Sequence, residues 1–250
     1  MKIAIFGATG KVGRHLVDQA LERGDEVTVS VRDASKLATH RRERLRIVQG
    51  DVLVPKDVEQ AVVGTGAVLS ALGHTMTSSK DVLTEGTKNI VVAMNKHDVR
   101  RLVSLTGAGV RDPKDEPKLV DRVIGSLLKF FQRDLLEDSI GQARVTRESD
   151  LEWVIVRAPV LNEGEKKGEY RIGYVGRESG TRLSRADVAD FMLKSRPRTL
   201  RTCTKRLWLA IECSVTPCLA PPDTPRGRPR LCTIYPSSAW NRSSTNFAYI

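Results

Sequence analysis

The 250-residue sequence predicts an α/β protein: a doubly wound parallel sheet, a small C-terminal cap and an irregular tail. Three observations predict it. Short apolar runs alternate with longer stretches of helical spacing through the first 194 residues, the order that helix crossovers between parallel strands require. The first apolar run leads directly into glycines at 7, 10 and 13, and a helical pattern starts inside that triplet. At residue 195 the composition changes and the alternation ends.

Each element has its own warrant. Ile3, Ala4, Ile5 and Phe6 are too few for a helix and read as a buried strand over 2–6. Val12, Leu16, Val17, Ala20 and Leu21 recur every three or four residues and predict a one-faced helix over 11–23. Similar reasoning places strands at 26–31, 45–49, 67–71, 101–105 and 152–156. Helices are expected at 55–62 and 80–97, with a long one inside 118–149. Arg157-Ala158-Pro159 should stop the sixth strand. Residues 164–182, rich in glycine and charge, read as a loop with short strands over the carboxyl edges of the sheet. Ser184 with Asp187 three residues later has the form of a helix start, the helix running to Leu193. Residues 1–194 thus form one folded unit, in which about 157–194 make a substrate-binding cap.

The charge is unevenly spread. From Ser195 onward nine Lys and Arg face two acids, which places +7 of the total +11 in that segment. Cys203, Cys213, Cys218 and Cys232, all the cysteines of the chain, lie there as well, at spacings that match no zinc-ligand pattern. With no sustained period of two or 3.6, residues 195–250 read as an unfolded tail of different origin from the rest. A nucleic-acid-binding arm is disfavoured, because the charges are not set beside a platform of aromatics. No stretch is apolar enough to span a bilayer, and the chain goes from Met1-Lys2 straight into a strand, so a cytoplasmic protein without membrane partners is expected. The sequence leaves monomer and dimer equally open.

Glycines between a strand and a helix let backbone approach a pyrophosphate, and the helix start offers it unpaired amides. The Gly7-x-x-Gly10-x-x-Gly13 spacing departs from the common G-x-G-x-x-G, yet its strand-turn-helix setting supports a dinucleotide site. At the end of the second strand stands Arg32, where an acid would select NAD; a guanidinium there can fork onto a 2′-phosphate. NADP is therefore expected over NAD, with Lys36 in reach of the same phosphate and the neighbouring Asp33 leaving some NAD use open. Asp51, after the third strand, suits either the adenine amino group or a turn cap. Leu72 and Gly73 end the fourth strand with little bulk, allowing a cofactor to lie across the sheet edge. His74 follows, and a solvated loop histidine is the preferred reading over a catalytic acid.

Taken together, GATGKVG, VRD, GDV, ALG, TEGTKNIVVAMNKHDVRRLVSLTGAG, RESDLEWVIVRAP and SRADVADFML resemble the atypical short-chain dehydrogenase/reductases with NAD(P)H-binding domains. Within them they are similar to the biliverdin-IXβ reductase or flavin reductase group and the bacterial NADH-flavin reductases. The resemblance covers residue 1 to about 194 and implies a Rossmann fold that passes hydride to a flat acceptor stacked on the nicotinamide. It implies that Gly7, Thr9, Gly10, Lys11 and Val12 hold the pyrophosphate, Arg32 and Lys36 the 2′-phosphate, and Asp51 and Val52 the adenine. Leu72 and Gly73 would flank the ribose. Ser104, Leu105 and Thr106 would adjoin the nicotinamide, with Pro159 and Val160 walling its other side.

One departure shapes the functional expectation. Classical members use a Tyr-x-x-x-Lys pair, whose lysine lowers the phenol pKa for proton exchange. Neither Tyr170 nor Tyr174 has lysine at the fourth place beyond it, Ser139 and Ala143 stand where the pair would align, and Gly107 replaces the serine of the biliverdin-reductase pattern. Carbonyl and alcohol dehydrogenation are thereby disfavoured. A flavin such as FMN, or a linear tetrapyrrole, can accept hydride onto a conjugated system and take its proton from solvent. Catalysis would then be mainly orientation, with the Ser104 and Thr106 hydroxyls as the candidate catalytic groups. The alternative is a non-catalytic NADP-binding redox sensor, like the nitrogen-repression regulators of this fold.

Overall fold

The computed structural model describes residues 1–37, 43–107, 109–112, 115, 133–168, 171–173, 182–196 and 208–213, with 171–172 and 208–213 described by backbone alone. In chain order come β1 (Lys2–Phe6), α1 (Lys11–Glu22), β2 (Glu26–Val31), β3 (Leu45–Gln49), α2 (Pro55–Val62) and β4 (Ala67–Ser70). Next are α3 (Val82–Lys96), β5 (Arg101–Gly107), α4 (Arg133–Glu148) and β6 (Glu152–Ala158). These six strands are parallel in the order β3-β2-β1-β4-β5-β6. The chain winds one way from β1 to β3 and the other way from β4 to β6, opening a crevice at the carboxyl ends of β1 and β4. The expected doubly wound Rossmann sheet is present.

Burial on both faces explains why the central strands are continuous apolar runs. Every residue of β4 is buried, as are all but the first of β1 and β2. On one face Leu16 and Val17 of α1 join Ile3, Ile5, Val29 and Leu69 in one core. On the other, Val58, Ile90 and Met94 cover Ala4, Phe6, Val68 and Leu102. Leu16 is fully buried, so Leu16→Ala would cost about 2–5 kcal/mol.

The last part of the chain differs from expectation. Arg157 does not stop β6, which pairs with β5 through Thr106↔Arg157 and Gly107↔Ala158. The strand tolerates it because the fully buried guanidinium gives a forked pair to Asp115, at 2.6 and 3.0 Å, and a third bond to the Val110 carbonyl at 3.0 Å. Beyond Pro159 lie β7 (Val160–Asn162), β8 (Arg171–Ile172), β9 (Arg182–Ser184) and α5 (Arg185–Lys194), with β7 and β9 paired in parallel. Ser184 caps α5 by accepting from the Asp187 amide at 3.0 Å. Asp187 in turn accepts from the Lys167 and Gly168 amides, fastening the loop that precedes it. Although α5 was expected within the cap, it packs on α1: Gln19 donates to the Ala186 carbonyl and Arg23 pairs with Asp190.

The ordered unit continues past residue 194. Arg101 donates to the Ser195 carbonyl, and Arg196 pairs with buried Asp25, which also holds the amino terminus. Within the segment expected to be irregular, β10 (Trp208–Cys213) runs antiparallel to β6 and parallel to β8. It covers an edge of the parallel sheet that would otherwise present unpaired backbone groups. The rest of 197–250, with Cys203, Cys218 and Cys232, lies outside the described residues. So do Tyr170, Tyr174 and the first part of the helix expected inside 118–149. Among the described residues no helix is long and apolar enough to cross a membrane.

Candidate cofactor and acceptor site

The turn after β1 is built by close approach. Gly7 has φ +76°, and a Cβ there would stand 2.3 Å from the Ala71 carbonyl oxygen at the end of β4. A Cβ on Gly13 would stand 2.0 Å from the Gly7 carbonyl oxygen, so α1 reaches the turn only because residue 13 lacks a side chain. Gly10 is the N-cap of α1 and brings no capping side chain, and the first turn contains no acid. The Lys11, Val12 and Gly13 amides consequently have no side-chain cap, which leaves them open to an anion. Arg14 fixes the turn by donating from Nε to the Thr9 carbonyl at 3.1 Å. Lys11 is exposed and lies 4.0 Å from Glu163. A cradle that Cβ atoms would fill, ending in open amides, fits the pyrophosphate of a dinucleotide.

Selection residues surround this turn. Arg32 follows β2, exposed, with Nη2 3.2 Å from Thr75 Oγ1 in the loop after β4. Asp33 is turned into its own backbone, accepting from the Ser35 amide at 3.0 Å and the Ser35 hydroxyl at 2.6 Å, while Lys36 lies 3.7 Å away. These contacts, the Ser35 hydroxyl foremost, hold the Asp33 carboxyl below the usual aspartate value. The residue that left NAD open is thus engaged locally by Ser35. Asp51 accepts from the Leu53 amide at 2.9 Å, the turn-capping alternative of the sequence reading. The Val52 side chain is core, packed beside Gly86, and its carbonyl accepts from Asn89 Nδ2 at 2.9 Å. Leu72 is packed on the same core, whereas a Cβ on Gly73 would meet nothing within 4 Å.

At the other end, register aligns the candidates. Phe6, Ser70, Ser104 and Ile155 form one row across β1, β4, β5 and β6, and Thr106 lies two residues further out beside Arg157. Ser104 is buried and its hydroxyl accepts from Gln142 Nε2 of α4 at 3.3 Å. Thr106 Oγ1, Ser70 Oγ and Gln142 Oε1 are buried and find no hydrogen-bond partner among the described residues, as expected where a ligand or ordered water completes a site. Leu105 points to the opposite core. Pro159 is partly covered, and Val160 is 69% exposed. Ser139, at the aligned Tyr-Lys position, donates to the Leu135 carbonyl of its own helix at 2.8 Å, and Ala143 is buried.

Sequence reasoning missed the polar side chains that α4 turns inward. Asp138 and Gln142, one helical turn apart, are both buried. Asp138 accepts from the Leu83 and Thr84 amides at 2.8 and 2.9 Å, capping α3 from another helix. It also bonds His74 Nε2 at 2.8 Å, which corrects the reading of His74 as a solvated loop residue. The available signal was an acid and an amide at i and i+4 on the sheet-facing side of an amphipathic helix.

Comparison with known proteins agrees with this geometry. Residues 7–196 match the NAD(P)H-binding family model, and the chain belongs to that family. YwnB of Bacillus subtilis is 32% identical over 207 residues, which cover 77% of this chain and 91% of YwnB. Other curated relatives are longer, and the chain spans between 31% and 39% of the length of three of them. A short-chain dehydrogenase/reductase from Veillonella parvula solved with NADP has a TM-score of 0.65 at 20% identity, covering 77% of this chain and 85% of that one. ChuY, an anaerobilin reductase from Escherichia coli O157:H7, has a TM-score of 0.66 at 19% identity, covering 88% of this chain and all of ChuY. The chain is an NAD(P)H-binding protein of oxidoreductase fold.

Proposed function

We propose that the chain is an NADPH-preferring reductase whose acceptor is a flavin or another planar conjugated molecule. The bound dinucleotide supplies a hydride from its nicotinamide. The Gly7–Gly13 turn and the first amides of α1 hold the pyrophosphate, and Arg32 with Lys36 meets the 2′-phosphate. Ser104 and Thr106 orient the nicotinamide end, and Pro159 and Val160 wall it. Holding donor and acceptor about 3–3.5 Å apart can supply much of the rate.

The observation that carries the acceptor class is the state of α4: at the aligned Tyr-Lys position stand a serine bonded to its own helix and a buried alanine. Conjugated acceptors dispense with that phenol. Exposed apolar side chains, Val160 at the start of β7 and Met76 in the loop after β4, follow strands that end at the same sheet edge and suit a flat face. ChuY, an anaerobilin reductase, supports this choice by its likeness in fold. The same missing pair favours the second reading, an NADP-binding sensor without turnover. Incubation with NADPH and FMN, or with biliverdin, separates them: loss of absorbance at 340 nm above a protein-free blank is expected. Tight NADPH binding with neither acceptor reduced would establish the sensor instead.

A further inference from the structure

We propose that His74, positioned by Asp138, is the proton donor of the site. This rests on the reductase reading and replaces solvent as the immediate proton source. Three features of the geometry point to it. His74 lies just beyond β4, four residues after Ser70, which shares a sheet row with Ser104. The helix that holds His74 through Asp138 also holds Ser104 through Gln142, four residues further on, or about 6 Å along the axis. The side chain is 21% exposed on the crevice loop, whereas Asp138 beneath it is 1% exposed. The polar atoms of Ser70, Thr106 and Gln142 without partners are the second sign that this side of the crevice receives a polar ligand or water.

The hydrogen-bond pattern fixes the direction of the proton. Asp138 accepts from two backbone amides, so its carboxylate acts as an acceptor and Nε2 of His74 must donate. Nδ1 makes no hydrogen bond to a described residue and is the atom available to an acceptor molecule. Besides Asp138, Asp134 is the charged group among the described residues that interacts with the ring, and it pairs with Lys80 at 2.8 Å. A buried carboxylate on one nitrogen orients the ring and fixes which nitrogen carries the proton in its neutral form, a positioning role for Asp138. In the reaction the acceptor gains a hydride from the dihydronicotinamide and a proton from Nδ1 at the heteroatom ending its conjugated system. The products are the reduced acceptor, NADP⁺ and neutral imidazole, which recovers a proton from water.

The test uses the full chain with His74→Gln and Asp138→Asn. Nitrogen-15 NMR of the histidine rings, without nucleotide, is expected to show neutral His74 protonated on Nε2, with that preference lost in Asp138→Asn. Single-turnover reduction of FMN and of biliverdin by NADPH should slow about 100-fold in His74→Gln, its pH dependence flattening, while calorimetric NADPH affinity is unchanged. Asp138→Asn should slow turnover less, again with NADPH affinity retained. A ring protonated on Nδ1, or a His74→Gln rate within about threefold of wild type at every pH, overturns the proposal and leaves the reductase reading standing. So does loss of NADPH affinity in step with rate in both variants, which marks a structural role. A wild type that reduces neither probe ends both.

Discussion

The two ends of the crevice are made in different ways. At the pyrophosphate end the geometry is local: Gly7, Gly10 and Gly13 lie within seven residues, and the constraint on each comes from the turn, the helix it opens or the adjoining end of β4. At the acceptor end the polar contacts join residues far apart in sequence, Gln142 to Ser104, Asp138 to His74 and Arg157 to Asp115. The first end is a backbone receptacle and the second a side-chain network. Substitutions should therefore fail differently at each, through space and φ in one and through stranded partners in the other.

The largest effect is expected at the acceptor end. Arg157→Met leaves Asp115, only 6% exposed by side chain, without its forked guanidinium. Breaking a buried pair from one side costs about 3–5 kcal/mol. Chemical denaturation should show that loss, and replacing both partners together with apolar residues should recover part of it. A double variant as unstable as the single one would mean that the pair is not what holds the segment after β5.

At the cofactor end Gly13→Ala is the next largest. Its new Cβ must move α1 or the Gly7 carbonyl, since 2.0 Å is far inside contact distance and the atoms it meets, in Gly7 and Ala8, are backbone. Stability should fall by at least about 2 kcal/mol, and calorimetry should show NADPH affinity lost beyond what unfolding explains. Gly73→Ala is the internal control: a Cβ there meets open space, so stability should change little.

This contrast also explains what was legible in the sequence. Strand and helix positions could be read because burial on both faces writes itself as apolar runs and as three-and-four spacing. The glycine turn was legible because its constraint falls on adjacent residues. The Asp138–His74 bond was not, because 64 residues separate the partners and each alone looks ordinary. Arg157 is a related case: Arg157-Ala158-Pro159 reads as a strand stop, yet Arg157 stays within β6 because its partner Asp115 lies 42 residues away in sequence. β10 was hidden as well, since a lone six-residue strand surrounded by proline and basic residues has no neighbour in sequence with which to establish a rhythm.

A smaller effect concerns nucleotide choice. Arg32→Ala removes the cation expected to meet the 2′-phosphate while leaving the glycine turn intact. NADPH affinity should fall about 10- to 100-fold, the scale of one or two charge-assisted hydrogen bonds, with NADH affinity nearly unchanged. Equal losses for both nucleotides would show that Arg32 shapes the site through Thr75 instead of reading the phosphate.

Asp33 gives the smallest and most specific change. The Ser35 hydroxyl and amide hold its carboxyl below the ordinary value, so the stabilisation they provide is complete above the unfolded aspartate pKa and disappears as pH falls through the lower folded one. Ser35→Ala removes the leading cause, and the Asp33 titration followed by carboxyl carbon-13 NMR should move upward. The released carboxylate would also be free to accept from an unphosphorylated ribose and to repel a 2′-phosphate. The ratio of NADPH to NADH affinity should accordingly fall in Ser35→Ala, by less than in Arg32→Ala. An unchanged ratio together with a moved titration would show that Asp33 lies outside the nucleotide's reach whichever way it turns, leaving selection to Arg32 and Lys36.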